Sequence, residues 1–174
     1  GYIQTTPIQL CLMTAQIGNG GYKIYPKIIA DDENSESQID KFTPLYKDSR
    51  NIKIVQDAMF ASTNEIRGTS YRSRIDNPKY QFAGKTGTAQ VKKITEKDRE
   101  LDLKTFEIPY EERDHALYVA YGPYKNPRYA ISILVEHGGN GSTTAAPMAK
   151  KLFKKIIDRD LLRQSINKKK YLEI

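Results

Sequence analysis

Apolar residues recur at three- and four-residue steps in some stretches of the chain and at two-residue steps in others, which divides it into helices and strands. Thr6, Pro7 and Gln9 mark the first helix: a hydroxyl for the N-cap, a residue whose missing N–H costs nothing in the first turn, and an amide placed to close a capping box. Ile8, Cys11, Leu12 and Ala15 form its expected buried stripe, and Gly18-Asn19-Gly20-Gly21 ends it. Tyr22 to Ile29 alternates as a short strand that Pro26 restricts to an edge or an end, and Asp31 to Asp40 reads as an acidic surface loop. Ile52, Val55, Met59 and Ile66 are spaced for a second helix closed by Gly68. Ala149, Leu152, Phe153 and Ile156 carry a last helix that begins near Thr144 with Pro147 in its first turn.

Between these helices the period falls to two. Phe82 to Val91 is a strand, and Ala116 to Tyr121 and Arg128 to Glu136 are two more, joined by the hairpin loop Gly122-Pro123-Tyr124-Lys125-Asn126-Pro127. Tyr129, Ile131, Ile133 and Val135 share one face of the last strand, which is expected to be buried. The pattern predicts an α/β fold, an antiparallel sheet packed against the first and last helices. Lys92 to Asp114 is a long, mostly charged connection, a length that is uncommon unless the segment is functional or partly disordered.

Composition narrows the class. With 174 residues, 39% hydrophobic and 28% charged, the chain is one globular domain or part of one, and no run approaches a membrane span. The formal charge of +7 raises nucleic acid as a partner. Its basic residues, however, gather at Lys150, Lys151, Lys154, Lys155, Arg159, Arg163 and Lys168 to Lys170, opposite the apolar stripe of the last helix, as on a solvated face. No nucleic-acid partner is expected. Cys11 has no partner for a disulfide and reads as a buried core thiol.

The candidate chemistry lies in Gly84-Lys85-Thr86-Gly87-Thr88-Ala89-Gln90. In a strand, Lys85, Gly87 and Ala89 face one way and Gly84, Thr86, Thr88 and Gln90 the other. Glycines inside a strand point to a close approach by another backbone or a ligand, so a bound extended peptide fits this edge, with Lys85 and Thr86 recognising an anionic group. A phosphate-binding P-loop would need glycine where Lys79 stands. His115 and His137 lack a third ligand at a metal-site spacing, and no metal or cofactor is expected. His137-Gly138-Gly139-Asn140-Gly141-Ser142 is too irregular for a phosphate or dinucleotide loop and reads as the link to the last helix.

The central run, Gly1 to Leu10, Gly18 to Gly21, His115 to Pro123, Asn126 to Ile131 and Val135 to Gly139 stand in an order that resembles the C-terminal part of a class B penicillin-binding protein transpeptidase domain, its elongation-specific penicillin-binding protein 2 branch above all. The resemblance covers roughly residues 1 to 157 and implies a domain portion over residues 1–163 followed by a basic tail, 164–174. It implies a serine that attacks a D-alanyl-D-alanine bond, forms an acyl-enzyme and passes the acyl group to an amine of a neighbouring stem peptide. Lys85 would bring positive charge to the cleft, Thr86 a hydroxyl for the substrate carboxylate, Gly87 room, and Thr88 a backbone N–H for the oxyanion; Gln90 joins them in substrate binding. The family's Ser-x-x-Lys and Ser-x-Asn motifs are expected upstream of Gly1. Ser165-Ile166-Asn167-Lys168 is an accidental match in the tail, and Ser62-Thr63-Asn64, only 23 residues before Lys85, is an exposed polar helix face rather than the Ser-x-Asn motif.

Stem peptides, β-lactams and other cell-wall elongation proteins are the implied partners, and the periplasmic face of the bacterial inner membrane the implied location, through an anchor in upstream sequence. A module of another class, a non-catalytic remnant or a β-lactam sensor, shares the same motifs.

Overall fold

The computed structural model describes residues 3–28, 43–92 and 103–172, with side chains to residue 163. Thr6 caps the first helix, α1 (Pro7–Gly18), through a capping box in which Thr6 and Gln9 satisfy each other's backbone N–H groups. Asp48 caps α2 (Ser49–Asn64), its carboxylate accepting from Arg50 N at 2.9 Å. Three strands follow, β1 (Ala83–Ala89), β2 (His115–Gly122) and β3 (Tyr129–Val135), and then α3 (Ala145–Leu172). The sheet is antiparallel in the order β1-β2-β3, with Thr86 opposite Tyr118 and Tyr118 opposite Ile133.

Helices cover both faces of the sheet. On one, Phe82, Ala116, Tyr118 and Ala120 meet Ala145, Ala146, Ala149, Phe153 and Ile157 of α3, all buried. The three alanines let the helix backbone approach β2, and Phe153 fills the remaining space by stacking on Phe82 at 4.8 Å between ring centroids. Burying one such phenyl group stabilises the fold by roughly 1.5–3 kcal/mol. On the other face, Ala83 and Tyr121 pack with Met59, Phe60 and Ile17 of α2 and α1.

Several expectations change in detail. Ile8 is 61% exposed, and α1 instead buries Thr14 and Gly18 against the sheet, because the helix sits on β3 and β2 along that edge. Cys11 is half-buried rather than buried; its Sγ lies 3.4 Å from Ala130 O, and burial raises the thiol pKa. Up to residue 28, the expected strand after α1 makes only an isolated bridge, Tyr22 to Pro44. The acidic loop from Asp31 to Asp40 lies outside the described residues.

α2 ends at Asn64, before Ile66, which is 80% exposed, and Val55 is 40% exposed; Met59 and Thr63 are its buried positions. Leu152 is 42% exposed, and Ile157 rather than Ile156 is buried, so the α3 stripe is rotated by about one position. α3 also runs on through Ser165 to Leu172, so the basic residues expected after the last helix continue it. The face of β3 formed by Tyr129, Ile131, Ile133 and Val135 is half-buried against the α3 layer.

Candidate active site

β1 lies at one edge of the sheet, with β2 as its pairing partner. Gly84 is required there by packing. A Cβ at this position would come within 2.3 Å of the Tyr118 hydroxyl, whose ring passes from β2 beneath the strand. That hydroxyl is buried and bonds to Thr63 Oγ1 at 2.8 Å and Ser70 Oγ at 3.2 Å. Burial raises the Tyr118 pKa, and the two hydroxyl contacts partly oppose the shift. The close approach that a strand glycine signals is here an internal side chain.

Next to it, Lys85, Thr86, Gly87 and Thr88 line an open cavity of about 300 Å³ together with Thr69, Asn140 and Ser142. The structure thus brings together four of the residues singled out in the sequence. Gln90 follows the end of β1, is exposed and does not line this cavity. Lys85 Nζ donates to Thr86 O at 2.9 Å and lies 3.4 Å from Thr86 Oγ1. Thr86 Oγ1 is 3.3 Å from Thr69 Oγ1, which is 3.3 Å from Ser62 Oγ.

Two loops complete the walls. The segment after α2 folds back on the helix end, with Ser70 N and Ser70 Oγ both donating to Ser62 O at 3.0 Å. Gly68 makes that turn possible, since a Cβ would lie 2.3 Å from Ser62 O. The turn delivers Thr69 to β1. The second loop leads into α3. Asn140 Oδ1 accepts from Ser142 N and Ser142 Oγ, both at 2.8 Å, and Gly141 lies over the Gly87–Leu117 pair so closely that a Cβ would be 2.4 Å from Leu117 O. His137, with φ 53°, donates its N–H to His115 Nδ1 at 2.9 Å, and its own Nδ1 lies 3.1 Å from Arg113 O. The two histidines hold this loop to the start of β2. From residue 103 onward, the charged connection joins the same wall: Gly139 N donates to Asp114 O at 2.8 Å, and Thr105 packs against Gly139.

The sequence reading missed Thr69, Asn140 and Ser142 as cavity residues. Gly68-Thr69 carries a signal, a glycine beside a hydroxyl residue after a helix, but only the tertiary fold shows where the hydroxyl lands. The assignment of Ser62-Thr63-Asn64 to an exposed polar face is corrected. Thr63 is fully buried on Tyr118, and Asn64 Nδ2 donates to Phe60 O and Phe82 O at 3.0 and 2.9 Å, tying α2 to the residue before β1.

Chemically, the cavity offers one ammonium group, several hydroxyls and an edge-strand backbone, and none of its lining residues is a carboxylate. It suits an anionic group on an extended ligand.

The family model of the penicillin binding protein transpeptidase domain matches residues 1–158. The chain belongs to that family. A relative within it, the peptidoglycan D,D-transpeptidase MrdA of Salmonella typhimurium, is 31% identical over 170 residues, which are 91% of this chain and 26% of that protein. Among solved structures, penicillin-binding protein PBP2 of Helicobacter pylori in its complex with MreC superposes with a TM-score of 0.67 at 28% identity, covering 91% of this chain and 26% of that one. PBP2 of Pseudomonas aeruginosa in complex with WCK 5153 gives 0.65 at 32% identity, covering 89% and 31%. The chain spans about a quarter of the length of the curated relatives it matches. Its antiparallel sheet and flanking helices are those of the penicillin-binding protein transpeptidase fold.

Proposed function

We propose that this chain forms the Lys-Thr-Gly wall of a serine-type peptidoglycan D,D-transpeptidase site, completed by a nucleophilic serine and its activating lysine from sequence outside residues 1–174. The observation that carries the reading is that the contiguous Lys85, Thr86, Gly87 and Thr88 of an edge strand share one cavity with Thr69, Asn140 and Ser142 from two other loops. The Lys85 ammonium supplies positive charge, the Thr86 hydroxyl binds the terminal carboxylate of a D-alanyl-D-alanine stem peptide, and the Thr88 N–H meets the oxyanion. Donors of that last kind contribute roughly 3–4 kcal/mol in enzymes where one has been removed. The serine oxygen bonds to the penultimate carbonyl carbon, D-alanine leaves with the proton, and an amine of a second stem peptide then takes the acyl group and frees the serine. β-Lactams occupy the same place, having a carboxylate and a strained amide.

Ser142 lines the cavity, but its hydroxyl donates to Asn140 Oδ1 within a local turn, which favours a structural role over a nucleophilic one. The same reading puts the complete protein at the periplasmic face of the inner membrane among cell-wall elongation proteins; the Helicobacter pylori relative is itself solved in a complex with MreC.

Intact-protein mass spectrometry of the folded chain with excess benzylpenicillin should show no covalent adduct, and an adduct would place a nucleophile within these residues. In the complete protein, Lys85→Ala should lower the acylation rate roughly ten- to hundredfold, the value of a hydrogen bond to a charged group. An unchanged rate would overturn the enzyme reading in favour of a non-catalytic module.

A further inference from the structure

Three hydroxyls form a row that starts at the end of α2 and finishes in the cavity: Ser62 Oγ, Thr69 Oγ1 and Thr86 Oγ1, each 3.3 Å from the next. In each pair either oxygen can be the donor. A hydroxyl has one proton and two lone pairs, so the row has no fixed direction until something at one end imposes it. An anion at Thr86 imposes it. Thr86 must then donate outward, Thr69 must donate to Thr86, and Ser62 must donate to Thr69. With Lys85 Nζ at 3.4 Å also directed at Thr86 Oγ1, both lone pairs of that oxygen are engaged, and its proton is left for the ligand.

We propose that Thr69 is a positioning residue that orients the Thr86 hydroxyl toward the ligand carboxylate, with Ser62 behind it setting the direction of the row. The proposal rests on the reading of Thr86 as the carboxylate-binding group. The local structure supports it independently. Gly68 and the paired donations of Ser70 to Ser62 O hold the turn against the helix end and so fix where Thr69 sits. The 3.3 Å contacts are longer than the roughly 2.7–2.8 Å usual between hydroxyls, which leaves the row room to tighten when an anion polarises it.

The test uses the complete protein and two ligands, benzylpenicillin and its carboxylate ester, with acylation rates read for each. Thr69→Val keeps the shape and removes the hydroxyl. It should slow acylation by the acid about three- to tenfold, the value of a neutral hydrogen bond, and slow the ester less, because a neutral ester carbonyl accepts a weaker bond from Thr86 than a carboxylate does. Thr69→Ser should restore the acid rate. A loss shared equally by acid and ester, or no loss for either, overturns the proposal. Ser62→Ala serves as a second probe should valine disturb the turn: an acid-selective loss of about twofold is expected, and a loss that is absent or shared overturns the row. Thr86→Val separates the two levels of the argument. If it too fails to discriminate acid from ester, the carboxylate role of Thr86 is wrong; if it discriminates and Thr69→Val does not, only the role of Thr69 is wrong.

Discussion

Tyr118 and Tyr121 stand three residues apart on β2, point to opposite faces of the sheet, and are both almost fully buried. Each presses on a glycine: Tyr118 on Gly84, and Tyr121 on Gly18 at the end of α1. Their hydroxyls differ. That of Tyr118 bonds with Thr63 and Ser70, whereas that of Tyr121 has no hydrogen-bond partner among the described residues. The ring of Tyr118 is thus held at both ends, and it joins β1 to the end of α2, where the cavity lies. The ring of Tyr121 fills space. Two identical side chains on one strand therefore do different work, and the difference lies in the small polar residues that α2 and its following turn provide.

The largest expected effect breaks the comparison at the glycines. Gly84→Ala would put a methyl group 2.3 Å from the Tyr118 hydroxyl and 2.5 Å from Cζ, so the ring must leave its partners, and the fold should lose about 3 kcal/mol in urea unfolding. Gly18→Ala meets Tyr121 Cγ at 2.9 Å with no hydrogen bond to lose, and its cost should be nearer 1 kcal/mol. Equal losses would show that overpacking alone matters at both positions.

Removing the hydroxyls should give opposite signs. Tyr118→Phe takes one partner from Thr63 and Ser70, whose hydroxyls keep Met59 O and Ser62 O as acceptors, and should cost about 1 kcal/mol, while Tyr121→Phe removes a buried unpaired group and should be neutral or stabilising by up to about 1 kcal/mol. Thermal unfolding of the two variants side by side checks this.

The smallest effect is alkaline. Burial raises the pKa of both tyrosines, so the stability tied to their neutral forms is fully present below the ordinary value of 10.0 and is lost as pH rises beyond it. Hydrogen bonds to the Tyr118 oxygen offset part of its shift, so Tyr121→Phe should flatten the decline in urea midpoint above that pH more than Tyr118→Phe does.

What was legible in the sequence follows from how local each signal is. The capping box at Thr6 and Gln9, the period-two strands and the Lys85-Thr86-Gly87-Thr88 run depend on neighbours a few residues away, and the structure has the helix, the strands and the shared cavity. The side of α1 that is buried depends instead on where β3 lies, so Ile8 was misplaced and Thr14 overlooked. Thr63 and Thr69 were unreadable for a related reason. A hydroxyl residue suits the surface, a buried network or a cavity wall equally well, and only the return of the chain after Gly68 assigns these two to different places.

β1 has one further consequence. Among the described residues only β2 pairs with β1, and where α2 and its following turn leave the other side of the strand open, that backbone cannot tell a ligand from a second copy of itself. Lys85 is exposed near the middle of that edge, and two copies meeting there would bring like charges together. On the reading proposed above, the ammonium group that attracts an anion is also a guard against addition of the protein's own strand.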